Sequence, residues 1–434
     1  MTSTRHRKAA MLVALTLLAI AAAQALTATG AAAATFTVST RVEVIATGAN
    51  GTVAVVPDAQ HVVVALDGSG AAVRSYPPSD LALAGATPDP DPDPDPTPDP
   101  GSLLGWNGFG VGAWPTAAWR PYAASSPFNV STFGQAVHPN SADIVAKTLS
   151  LGNIGNLVAG NAGTTSDYGH PTYYAQPSDP LFRLEWTGGG PGAAIDGLQI
   201  RIPNAARPAA GADGHMTVVE PDGWEYDFWR VGTKPQGGGT MTFAGGGRTR
   251  IDGSGLNSGA TASNFGNLAG VIRAQELAAG RINHALFIVV DCTARGTDFG
   301  YGTKTTSNGS MVYPASHGAS ACETDSPDLP PVGARFQLAM SDLQIQALPV
   351  PGWKRTILTA LAHYGGYVGD TGGPGFAFQF ESGSTYTSFG VSDKMVDFAK
   401  IANGIAVYDG KYVFNMADGV EWQKYLRVLV PPAP

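Results

Sequence analysis

Asp213-Gly-His215-Met-Thr217-Val-Val-Glu220-Pro-Asp-Gly223-Trp-Glu225-Tyr-Asp227-Phe-Trp229 is the stretch whose reading decides the fold. Two runs of alternating polar and apolar residues flank Pro221-Asp222-Gly223, whose glycine supplies the positive-φ position of a three-residue hairpin turn. Pairing Glu220 with Trp224 sets the register: Val219 opposite Glu225, Thr217 opposite Asp227, His215 opposite Trp229. Strand side chains alternate between faces. Met216, Val218, Tyr226 and Phe228 therefore share an apolar face that belongs to a core. His215, Thr217, Glu225, Asp227 and Trp229 share the other. A slip of one residue would mix the two sets, so the pattern itself supports the pairing.

Outward from the hairpin, runs at 182–186, 197–202, 284–291 and 335–340 also read as strands. Helical periodicity comes later. Ser341 is placed to cap a short helix through Leu348. Residues 353–364 put Trp353, Ile357, Leu358 and Leu361 on one stripe, with Gly365-Gly366 as a stop. Further helices are expected at 396–402 and 420–429. Strands first and helices later predict a mainly β, α+β domain built on a β-sandwich or jelly roll.

The composition agrees with a loop-rich β protein. Of 434 residues only 14% are charged and 44% are hydrophobic, with 56 Gly and 32 Pro. A net charge of −8 argues against nucleic acid as a partner, because phosphate binding needs a basic face. Residues 1–34 read as a signal peptide: Arg5, Arg7 and Lys8, an apolar stretch over 9–26, and a small-residue cleavage site at Ala31–Ala34. The expected location is extracellular, with no membrane contact after cleavage. Residues 35–86 read as a small β-rich spacer or binding module of three or four strands, broken at Ala49-Asn50-Gly51 and Asp67-Gly68. The repeat at 87–100 alternates Pro with Asp or Thr and predicts a stiff linker of roughly 40 Å. Exported polysaccharide-degrading enzymes of actinobacteria resemble this architecture. Residues 101–434 then form the main domain. Its two cysteines, Cys292 and Cys322, are expected to pair in an oxidising compartment.

The second hairpin face suits sugar chemistry. Trp229 offers a platform for a pyranose ring, with Thr217 beside it, and the acids offer proton transfer or nucleophilic attack. Glu225 and Asp227 stand close enough for one to raise the other's pKa. The bland alternative is a solvated sheet face, although such faces favour Thr, Lys, Arg and Glu over this mixture. His284 opens a very apolar strand and reads either as a core histidine or as a cleft residue. The disulfide would hold the His317 loop near that strand's end. Asp370, in a glycine-rich turn, is a further candidate acid. No H-x-H or H-E-x-x-H spacing supports a metal, and no cofactor is expected. Gly237–Gly239 and Gly245–Gly247 read as flexible hairpin tips. No G-x-S-x-G elbow is present.

Glu225-Tyr226-Asp227 resembles the start of the Glu-x-Asp motif in jelly-roll glycoside hydrolases of the laminarinase type, but no third acid follows it here. From His215 onward the chain also resembles a group of secreted proteins of actinobacteria and other soil bacteria. The segments that carry this likeness are Asp213-Gly-His215, Glu225-Tyr226, Asn283-His-Ala-Leu286, Tyr313-Pro-Ala-Ser-His317, Pro330-Pro-Val-Gly-Ala-Arg-Phe336 and Ile357–Asp370. The resemblance implies a carbohydrate-active role and candidate residues, Arg335 among them, and specifies no reaction.

The expectation is thus a secreted glycoside hydrolase, a monomer acting on an extracellular polysaccharide. Glu225, Asp227, His215, His284 and Asp370 are its catalytic candidates, and Trp229, Thr217, His317 and Arg335 its binding candidates. A jelly-roll polysaccharide lyase and a non-catalytic glycan- or surface-binding protein are the alternatives.

Overall fold

The computed structural model describes residues 41–44, 49–58, 61–66, 73–76, 81–83 and 108–432. The expected leader at 1–34, the Asp67-Gly68 break and the linker at 87–100 lie outside them. The chain divides into two compact units, 1–94 and 95–434. In the first, five strands form one antiparallel sheet in the order Val73–Tyr76, His61–Leu66, Ala49–Asp58, Arg41–Val44, Leu81–Leu83. The expected break at Ala49-Asn50-Gly51 instead opens the longest of these strands.

The second unit is α+β and sandwich-like, and across the chain strand outweighs helix, 27% to 16%. The hairpin forms in the register its pattern dictates, Thr217 opposite Asp227 and Val219 opposite Glu225. Gly223 takes φ +88° in the turn. The hairpin sits inside a six-stranded sheet ordered Thr172–Tyr174, Met216–Val219, Trp224–Val231, Gly239–Arg250, Leu181–Trp186, Gln199–Arg201. A second sheet of five strands runs Phe376–Phe378, Leu286–Val290, Gly366–Thr371, Arg335–Leu338, Leu426–Val428. Both sheets contain parallel pairs, as between Thr172–Tyr174 and Met216–Val219 and between Leu286–Val290 and Gly366–Thr371. The ladder of a strict jelly roll is antiparallel throughout.

Among the described residues, three of the cores follow from strand alternation. Met216, Val218, Tyr226 and Phe228 pack on one side of the six-stranded sheet with Phe182, Leu184 and Ile200. Leu286, Ile288 and Val290 pack on the helix Gly352–His363 through Ile357, Leu358 and Leu361. Phe287 points the opposite way. With Tyr367 it meets Tyr174 and Val219 of the other sheet, and Phe128 and Phe265 join this layer. The hairpin's mixed face thus looks into protein, towards the layer that joins the two sheets.

Several local expectations change. Ser341 caps the helix Asp342–Ala347, and its hydroxyl accepts from the Gln344 backbone N–H. The helix expected over 420–429 is one turn, Trp422–Tyr425, running directly into the strand Leu426–Val428. Gly245–Gly247 are no hairpin tip: they lie in mid-strand within Gly239–Arg250. A Cβ on Gly247 would strike the Ser258 carbonyl oxygen, and one on Gly246 the Asp227 carbonyl. The glycines are there because backbone passes too close for a side chain.

Candidate functional site

Glu225 and Asp227 are fully buried, each 0% exposed. The Tyr122 hydroxyl donates to both Glu225 oxygens at 2.8 and 3.1 Å, and the Leu268 backbone N–H donates to Oε1 at 3.1 Å. Asp227 accepts from the Thr217 hydroxyl at 2.8 Å and the Asn267 N–H at 3.1 Å. Burial, and then the neighbouring Asp227 charge, push the Glu225 carboxyl well above its usual range. Burial raises Asp227 to about 6. These groups tie the sheet to the 265–268 loop, and no substrate reaches them in this conformation.

The accessible chemistry lies beside them, in a groove of about 570 Å³. Phe287 and Val289 of the five-stranded sheet line it, with Asp213 and His215 from the start of the hairpin and Asp370 from the end of Gly366–Thr371. The strand Leu157–Ala159, the loop reaching His170, and residues 377–383 complete its walls. Gly372, at φ +83°, and Gly373, packed on the Val289 side chain, turn the chain just beyond Asp370.

Two histidines stand together in the groove, both nearly buried. The rings of His170 and His215 are 4.6 Å apart, and His170 lies 5.8 Å from the Phe287 ring. His170 Nδ1 is 3.1 Å from the Asn267 carbonyl. His215 Nδ1 is buried without a hydrogen-bond partner. Burial lowers His215 to about 4, and burial and then His215 lower His170 to about 3. Both are neutral imidazoles at neutral pH, able to accept as well as donate.

The acids occupy two places. Asp213 accepts the Trp229 indole N–H at 3.1 Å. Its charge, added to the larger effect of burial, raises Asp370 to about 6. Elsewhere in the groove Asp167 accepts from the Ser382 and Ser384 hydroxyls, both at 2.9 Å. Glu381 accepts from the Tyr386 hydroxyl at 2.7 Å, and burial raises it to about 7. Asp393, which caps the helix Lys394–Ile401, is the fifth acid of the lining. Among the described residues, the lining holds no Lys or Arg.

Of the expected catalytic set, only His215 and Asp370 line this groove. Glu225, Asp227 and Thr217 are sealed beneath the sheet. Trp229 has its indole tied to Asp213 and its ring covered by Arg230 at 4.2 Å. His284 faces a separate small cavity, its Nε2 3.0 Å from Glu276, which also pairs with Arg273 at 2.6 Å. His317 Nδ1 is 3.2 Å from the Ala262 carbonyl, outside the groove. Arg335 donates to the Val130 and Tyr364 carbonyls beneath the Tyr367 ring, where it braces the core. Asp213, His170, Asp167 and Glu381 were not singled out as site residues. Asp213 had one available signal, its place two residues before His215. The others come from segments whose convergence no local pattern announces.

Among the described residues, no group of three or more His, Cys, Asp or Glu side chains is arranged to hold a metal ion. No protein-family pattern, curated protein or solved structure matches the chain.

Proposed function

We propose that the second unit is an extracellular glycoside hydrolase working in this groove. The export signal read in the first 34 residues and the Cys292–Cys322 disulfide support the location. The observation that carries the activity is the Asp213–Asp370 pair: two carboxyls face one groove, and one is held to about 6 by burial and by its neighbour's charge. Glycoside hydrolysis uses one carboxyl that keeps its proton and one that has lost it. Asp370 is the general acid and Asp213 the carboxylate. His215 and His170 hydrogen-bond sugar hydroxyls as neutral imidazoles, and Phe287 and Phe378 supply apolar contact to ring faces.

A glycan panel assayed for reducing ends tests the reading. Wild type is expected to release them from at least one glycan, and Asp370→Asn to cut the rate by about 10²–10⁴-fold, the usual worth of a positioned general acid. Release undiminished in Asp370→Asn would overturn it. The lyase alternative has less support, since a uronate needs a cation to neutralise it and the lining offers none. Retention of a glycan without products would favour the binding alternative.

A further inference from the structure

Given the proposed function, we infer that the glycan this groove takes carries free amino groups: a chain with protonated amino sugars, rather than an acetylated or acidic one. The inference rests on the hydrolase reading and adds its substrate class.

The first ground is the distribution of charge. Five carboxyl groups line the groove, Asp213 and Asp370 in one place and Asp167, Glu381 and Asp393 in another, and among the described residues no Lys or Arg shares the lining. Asp213 acts on Asp370, while Asp393 interacts with both Asp167 and Glu381, so the acids form two groups along one channel. Arg273, whose charge acts on Glu381, is 5% exposed, lies outside the lining and is bound to Glu276. The two histidines add no positive charge at neutral pH, because burial keeps them deprotonated. A channel with charges of one sign and apolar walls concentrates ligands of the other sign.

The second ground is independent of the acids. His215 is 4% exposed, lines the channel, and leaves Nδ1 buried without a partner. A buried polar atom without a partner is destabilising, and a ligand donor that reaches it relieves that penalty. An amino-sugar ligand brings hydroxyl and ammonium donors for neutral imidazoles and carboxylates to accept. The carboxylate or sulfate of an acidic glycan would instead meet a lining whose ionisable side chains, apart from neutral histidines, are all acids. An N-acetyl group replaces the ammonium with a neutral, bulkier amide and forfeits the charge attraction.

The test is isothermal titration of the full chain at pH 6.5 with three tetrasaccharides: glucosamine, N-acetylglucosamine and galacturonate. The glucosamine tetramer is expected to bind at least about tenfold more tightly than the acetylated one. That margin should shrink as salt rises from about 50 to about 500 mM, through screening. The galacturonate tetramer should bind weakest. Asp167→Asn, nearly isosteric, should reduce the glucosamine preference, and its circular dichroism spectrum will show whether it folds. Equal or tighter binding of the acetylated or acidic tetramer overturns the inference, even if a neutral glycan is cleaved and the hydrolase reading stands. Preferential glucosamine binding with no reducing ends from any glycan would leave the inference standing and sink the hydrolase.

Discussion

Asp370 and Glu225 are both carboxyls raised by burial, yet their surroundings differ in the one respect that matters for catalysis. Asp370 faces a groove, whereas Glu225 faces Tyr122 and the Leu268 N–H. As a general acid Asp370 must hold its proton, so kcat/KM is expected to fall as pH rises through about 6. Asp213→Asn removes a negative neighbour and should move the Asp370 titration, followed by carboxyl-carbon NMR, to lower pH. A titration that stays in place would separate the two groups. For Glu225 the consequence is stability. Its folded pKa is raised, so its contribution is fully present below the ordinary carboxylate range, about 4, and is lost as pH rises through the folded value. Asp227 acts in the same sense up to about 6. Glu225→Gln, which cannot ionise, should therefore gain Tm relative to wild type between about pH 4 and pH 8. A Tm difference independent of pH would contradict this.

The hairpin and its neighbour strands show what local sequence can carry. Period-2 alternation fixed the register of Met216–Val219 on Trp224–Val231 because one face is wholly apolar, and any slip would bury the wrong set. That logic says which residues share a face and is silent on what covers the face. The mixed set of His215, Thr217, Glu225, Asp227 and Trp229 was legible as a set. Its burial depends on the 265–268 loop and Tyr122, the latter 103 residues away in sequence from Glu225. The groove is harder still to read, since His170, Asp213, Asp370 and Glu381 come from four separate segments. The central strand Gly239–Arg250 was missed because glycine weakens strand propensity. Its glycines answer to the Ser258 and Asp227 carbonyls. Gly247→Ala should accordingly cost about 1–3 kcal/mol, the usual range for overpacking, read from urea denaturation. An unchanged midpoint would show that the 258–259 loop moves aside freely.

At the scale of the second unit, the groove lies where the ends of several strands and loops converge beside the layer between the six- and five-stranded sheets. The Cys292–Cys322 bond closes 30 residues just beyond the strand Leu286–Val290. In the chain-entropy account a loop of that length contributes about 3–4 kcal/mol. A Cys292→Ser, Cys322→Ser double variant should lose about that much in denaturant titration, and a loss under about 1 kcal/mol would show that the loop is held without it. The channel's claim to be the reacting centre, against the sealed pair on the hairpin, comes down to one side-by-side assay. Reducing-end release is followed for wild type, Asp370→Asn and Glu225→Gln on the same glycan at pH 5.5. The expected result is a loss of about 10²–10⁴-fold in Asp370→Asn and near-wild-type turnover in Glu225→Gln. Loss in Glu225→Gln with Asp370→Asn unaffected would place the chemistry on the hairpin and contradict the assignment to the channel.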